Sequence, residues 1–257
     1  MKILNKFLNI KKHTPPLLYS NIILFPSKLK FLLYLGKNNC CPFCGKYYRK
    51  FLTYGSSQRP NTACPKDYSL ERHRLIWLYL KYKTSFFNYN LKVLHFAPQY
   101  CFLKSCSAMS NLDYISADLY KPDVMLKIDI TEITFKDNYF DVILCNHVLE
   151  HVIDDKRAMN ELFRVLKPGG WAIIQSAIDP HLEKTYEDDS IITNEDRERV
   201  FGQFDHVRIY GLDYKACLEN AGFKVKVDDY AGSLRNDIIK IYGLNKDEKI
   251  YFCSKPK

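Results

Sequence analysis

Two stretches of the sequence hold side chains whose types and spacing can do chemistry. CNHVLEHVIDD (145–155) contains His147, Glu150 and His151 in the order H-x-x-E-H. That is the inverted zinc-peptidase pattern, in which two histidines one helical turn apart hold zinc and the glutamate acts as general base. CCPFCG (40–45), followed by CPKDYSLERHR (64–74), sets Cys41-x-x-Cys44 ahead of Cys64. Three thiols at this spacing suit a metal knuckle, where tight turns aim sulfurs at one tetrahedral ion. A second C-x-x-C would need a cysteine at 67, and the chain has Asp67 there. A carboxylate also ligates zinc, so Asp67 is the expected fourth ligand, with Cys40 or His73 as substitutes.

The elements that must position these groups decide between the readings. LKVLHFAP (91–98), DYISADL (113–119), VMLKIDI (124–130) and the strongly apolar FDVILCN (140–146) read as strands. DDKRAMNELFRVL (154–166) places Ala158, Leu162, Val165 and Leu166 on roughly one helical face, and KPGG (167–170) then WAIIQSA (171–177) follow. YGLDYKACLENAGFKVKV (210–227) reads as a helix, a stop at Gly222 and a strand, and EKIYFCSK (248–255) as a final strand. Strand, helix, Gly-containing turn, strand is the grammar of a parallel sheet whose ligands bind at the carboxyl ends of the strands. His147 therefore sits in the turn after a buried strand. A zinc-peptidase motif needs a long helix, and that reading is set aside.

Composition agrees with an intracellular, cytoplasmic globular protein: 47% of residues are hydrophobic and 26% charged. No apolar run has the length of a membrane span, and the opening MKILNKFLNIKKH lacks the features of a signal peptide. The nine cysteines are then expected as thiols or metal ligands. Charge is uneven. Residues 1–66 hold twelve Lys/Arg and no Asp or Glu, out of 38 basic and 29 acidic residues in all. Residues 1–36 read as a basic amphipathic arm suited to peripheral contact with an anionic membrane face. Residues 37–68 read as the cysteine knuckle. From 69 to 257 runs an α/β domain, with a polar insertion at about 178–214. SLERHRLIWLYLKY opens that domain as a helix, with Ser69 as its N-cap.

FDVILCNHVLEHVIDDKRAMNELFRVLKPGGWAII (140–174), with VLHFAPQ, YISADL and KIDIT upstream, resembles the class I S-adenosylmethionine-dependent methyltransferases of the type-11 kind. The C-x-x-C…C-P-x-x-S-L-E-R-H-R opening resembles a subgroup with a small N-terminal cysteine knuckle. The resemblance covers about residues 69–253. It implies a seven-stranded, mostly parallel Rossmann-like sheet with a last antiparallel strand. It also implies S-adenosylmethionine as cofactor: Asp118 on the ribose hydroxyls, Asp129 and Ile130 near adenine, Asn146 and His147 beside the methionine half. The first strand departs from the family. His95, Phe96, Ala97, Pro98 and Gln99 stand where an acidic residue and a glycine-rich turn are usual. His95, Ala97 and Gln99 would contribute to the cofactor site from those positions.

Methyl transfer from a sulfonium asks for alignment, and an oxygen acceptor additionally asks for a base. The insertion is dense in polar groups, and His206, oriented by Asp205 or another acid, is the first choice, with His147 second. The expected reaction is O-methylation of a small-molecule, glycan or lipid-linked acceptor. An RNA methyltransferase with an N-terminal zinc ribbon is the alternative, and a binding protein with an altered cofactor loop is the third.

Overall fold

The computed structural model describes residues 31–55 and 57–257. The basic arm's residues 1–30 therefore lie outside the described part. Two units can be separated: residues up to Arg74 together with Asn236–Leu244, and Leu75–Arg235 together with Asn245–Lys257. The division differs from the expected break at 68/69, because the first unit reaches into a helix and takes back a segment from late in the chain.

In the first unit a short 3-10 turn, Phe31–Tyr34, leads into β1 (Leu35–Cys40), which pairs antiparallel with β2 (Tyr47–Tyr48). A second ribbon pairs β3 (Leu52–Tyr54) with β4 (Arg59–Ala63). Cys41, Tyr48, Phe51 and Cys64 form its small core, with Phe31, Tyr34 and Phe43 against it. Leu32, Leu33 and Leu35 remain exposed. Arg74 explains the boundary. Fully buried, its guanidinium donates to the carbonyls of Thr62 (2.9 Å), Tyr242 (2.6 Å), Gly243 (2.7 Å) and Ser69, and lies 4.2 Å over the Phe51 ring. A planar fork with five donors can close several chain ends at once, so this arginine ties the ribbons to the helix Asn236–Tyr242.

Helix α1 (Glu71–Lys83) carries the chain out of that unit. At its start the Leu70 N–H donates to His73 Nδ1 (3.2 Å), which commits His73 to the helix terminus. The second unit then lays down β5 (Leu91–Phe96), α2 (Tyr100–Cys106), β6 (Leu112–Asp118), β7 (Leu126–Lys127), β8 (Phe140–Asn146), α3 (Asp155–Val165) and β9 (Leu166–Gln175). The insertion follows with β10 (Tyr186–Glu187), α4 (Asn194–Phe201) and β11 (Arg208–Ile209). The domain closes with α5 (Tyr214–Asn220), β12 (Lys224–Asp228) and β13 (Ile250–Ser254).

Seven strands make one sheet in the order β12-β13-β9-β8-β5-β6-β7. The pairs among β5 to β9 are parallel, and β13 runs antiparallel to both its neighbours. The parallel strands thus present their carboxyl ends, Phe96, Asp118 and Asn146, along one edge. The apolar stripe of α3 buries Ala158, Met159, Leu162 and Val165 in the core beside Phe140, Ile143 and Ile174. Each large apolar side chain so buried contributes about 1.5–3 kcal/mol. Asp154 caps α3 by accepting from the Arg157 N–H.

Two expected elements differ in detail. Of VMLKIDI only Leu126–Lys127 pairs, because this segment lies at the sheet edge with a single neighbour. The KPGG turn is absorbed into β9, where the pairing with β8 slips between Phe140 and Val142. Gly169 takes φ +79°, and a Cβ on Gly170 would stand 2.9 Å from the Asp141 carbonyl oxygen. The glycines thus let the two backbones close. Among the described residues no helix is long and apolar enough to cross a membrane.

Candidate functional site

At the end of β5 the chain turns through Ala97 with φ +47°. This left-handed conformation normally falls to glycine and costs an L-residue about 1–2 kcal/mol. The glycine-rich sequence is missing, and a left-handed alanine stands in its place. The amine of Lys121 donates to the carbonyls of Ala97 (3.3 Å) and Pro98 (3.1 Å). Burial pushes this amine below the usual lysine range, against the pull of Asp118. Sequence reasoning missed Lys121; its only signal is its place three residues after the strand-ending acid. Gln99 precedes α2, and its side-chain N–H donates to the Ala97 carbonyl (3.4 Å) while Oε1 is buried without a partner.

Asp118 and Asp129 each use one oxygen locally. Asp118 Oδ1 accepts from the N–H groups of Tyr120 (2.7 Å) and Lys121 (2.8 Å), and Asp129 Oδ1 from the N–H and hydroxyl of Thr131 (both 2.8 Å). Each carboxylate thereby caps a strand-end turn and retains a second oxygen. Ile130 is buried in the core. His95 is fully buried: its Nδ1 lies 2.9 Å from the Tyr114 hydroxyl and its ring meets Phe102 edge-on. Burial, with a smaller contribution from Lys121, pushes its pKa down to about 3. It is neutral at ordinary pH, and its Nε2 is buried without a hydrogen-bond partner.

Asn146 ends β8 at 1% exposure, and neither its side-chain oxygen nor its nitrogen has a hydrogen-bond partner. A buried amide left this way costs a few kcal/mol unless something fills the position. His147 follows with φ +56°, and its Nδ1–H donates to Glu150 Oε1 (3.0 Å). The other oxygen of Glu150 accepts from the Ser176 hydroxyl (2.8 Å). Burial raises the Glu150 pKa, but the His147 and Ser176 hydrogen bonds outweigh it and hold the group down to about 2.

Residues Leu149–His151 form one 3-10 turn, so His147, Glu150 and His151 do not share a long helix. Asp205 hydrogen-bonds His151, while its charge and that of Glu150 also act on His206. The His151 Nδ1–H reaches the Asp205 carbonyl at 3.2 Å and its carboxylate at 3.3 Å. Burial lowers the His151 pKa, yet the Asp205 contacts leave it raised on balance. His206 lies with its ring 4.7 Å from that of His151; burial first, then the neighbouring imidazole, pushes its pKa down. Arg208 braces the turn, donating to the carbonyls of Leu149 (3.0 Å), Val152 and Ile153 (2.9 Å) and to Glu187 (3.1 Å).

In the first unit Cys41, Cys44, Cys64 and Asp67 offer four ligand atoms that all lie within 4.8 Å of one another. Cys44 and Cys64 sulfurs are 3.8 Å apart, and Cys41 Sγ is 3.1 Å from Asp67 Oδ2. A tetrahedral zinc with Zn–S bonds of about 2.3 Å sets its sulfurs about 3.8 Å apart, so the donor set fits this ion. Burial pushes the Cys41, Cys64 and Asp67 pKa values up, while hydrogen bonds from Cys41 and Cys64 pull Cys44 down. Such a cluster releases its protons readily only to a cation.

The sheet order and the reversed last strand are those of the Rossmann-like methyltransferase fold. Residues 96–174 match the family model described as a methyltransferase domain. The chain resembles the ubiquinone/menaquinone biosynthesis C-methyltransferase UbiE of Vibrio cholerae, with 33% identity over 81 residues, 32% of this chain and 27% of that protein. Its Vibrio parahaemolyticus counterpart is 44% identical over 52 residues, 20% of each chain. The chain thus matches only about a quarter of the length of these curated relatives. Among solved structures, the [4+2]-cyclase SpnF superposes with TM-score 0.51 at 14% identity, over 73% of this chain and 84% of that one. That likeness speaks for the fold.

Proposed function

We propose that the chain is an S-adenosylmethionine-dependent methyltransferase acting on the hydroxyl of a small-molecule acceptor. The observation that carries the reading is Asn146: a buried amide with both polar atoms unpaired, at the strand end where this domain class holds the methionine half. Ala97, Gln99, Asp118, Asp129, Ile130, Asn146 and His147 are the proposed cofactor contacts, with the left-handed Ala97 turn letting the backbone approach. The retained oxygen of Asp118 suits a ribose hydroxyl. His95, sealed in the core, supports the loop.

When bound, the cofactor supplies an activated methyl on sulfonium; the protein must exclude water, align the acceptor and take its proton. His206 and His147 are the groups available for the proton. Burial favours neutral His206, and a neutral imidazole accepts. O-methylation and C-methylation of a hydroxylated ring both begin with loss of that proton, so the same base serves either. The acid-free first 66 residues favour an acceptor with an anionic, lipid-linked or glycan-linked group. We further propose that Cys41, Cys44, Cys64 and Asp67 hold a structural zinc. A radiolabelled-methyl screen against lipid, glycan, quinol and RNA extracts tests the acceptor class. Label in the lipid or glycan fraction supports the reading, and label confined to RNA contradicts it.

A further inference from the structure

We propose a second metal site, a divalent transition-metal ion held by Glu150, His151 and His206 where the insertion meets the turn after β8. One ligand atom from each of the three lies within 4.8 Å of the others. Two imidazoles and a carboxylate with open positions form a donor set that takes zinc, cobalt or iron. The surrounding contacts match what such ligands need. The His151 Nδ1–H is directed at two Asp205 oxygens, which leaves Nε2 as the nitrogen able to bind a metal. Asp205 is itself fixed by the Gln203 amide (2.7 Å). The Val207 N–H donates to the Glu150 carbonyl (2.9 Å), which pins the insertion, and with it His206, against the turn bearing Glu150 and His151. Arg208 locks the same turn from within. Glu150 keeps His147 and Ser176 as partners, and a carboxylate with about four lone-pair sites has room for a metal bond as well.

This site deepens the methyltransferase reading and rests on it for its purpose. A metal held in the turn that follows Asn146 in the chain would bind the acceptor oxygen as the O–H bond breaks, lowering the hydroxyl's pKa. With His206 holding the metal, the proton passes to His147, and the oxygen's freed electron pair forms the new bond to the methyl as the C–S electrons return to sulfur.

The test is metal content. Full-length protein and full-length His206→Ala are stripped, dialysed against Co2+ and analysed for cobalt per chain. The sulfur-to-cobalt absorption reports the cysteine cluster separately. The expected result is one cobalt fewer in His206→Ala with the thiolate band unchanged. Asp205→Asn should retain the site but bind cobalt about 10–100-fold more weakly. Equal cobalt content in parent and His206→Ala overturns the proposal. S-adenosylmethionine titration of the unmutated protein reports the methyltransferase reading independently: a cobalt difference without cofactor binding would sink that reading and leave the metal site standing.

Discussion

His95→Gln isolates the consequence of placing an imidazole where the family keeps an acid. The unfolded imidazole takes a proton near pH 6.5, and the folded one, fully buried, only near pH 3. Between these values the unfolded chain binds more protons. The neutral histidine's contribution is therefore fully present above pH 6.5 and is lost as pH falls toward 3. Because the folded value lies well below 5, the loss from pH 7 to pH 5 is set by the unfolded pKa, and comes to about 2 kcal/mol. Glutamine does not titrate and can still meet the Tyr114 hydroxyl. Urea unfolding followed by Trp77 and Trp171 fluorescence reads the second unit, which contains both tryptophans. The stability of the parent relative to His95→Gln should fall by about 2 kcal/mol between pH 7 and 5. A constant separation over that range would refute the buried, neutral histidine.

Cys44→Ser should abolish binding of the proposed zinc and lower the melting temperature of the first unit, with elemental analysis showing one zinc fewer per chain; unchanged zinc would exclude Cys44 as a ligand. Arg74→Met orphans the carbonyls of Thr62, Ser69, Tyr242 and Gly243 and should destabilise the first unit by about 3 kcal/mol or more. Hydrogen exchange in residues 31–74 checks this, and protection equal to the parent's would contradict it.

The parallel sheet was legible because β5, β6 and β8 are apolar runs that end at His95-Phe96, Asp118 and Asn146, and because α3 carries an apolar stripe at helical spacing. The cysteine knuckle was legible from spacing alone, including its carboxylate at Asp67. What pattern could not give was partnership across the chain. Arg74 reads as one basic residue on a helix, yet it gathers carbonyls nearly 170 residues away, which is why the unit boundary moved. His95 reads as a site residue from its register, and only the packing of Tyr114 and Phe102 reveals its burial. Asp205 and His206 are adjacent in sequence, so their pairing looked natural, but the turn held by Arg208 gives Asp205 to His151. H-x-x-E-H was visible from the start; dismissing the peptidase also dismissed Glu150 and His151, which meet His206 only through the insertion.

Calorimetric titration of the full-length protein with S-adenosylmethionine, repeated on Asp118→Asn, tests the central claim most directly. The amide keeps the oxygen that caps the Tyr120–Lys121 turn and removes the second carboxylate acceptor. The account predicts saturable one-site binding by the parent, weakened by about 1–3 kcal/mol in the variant. No saturable binding by the parent, or equal affinity in the two proteins, would contradict it.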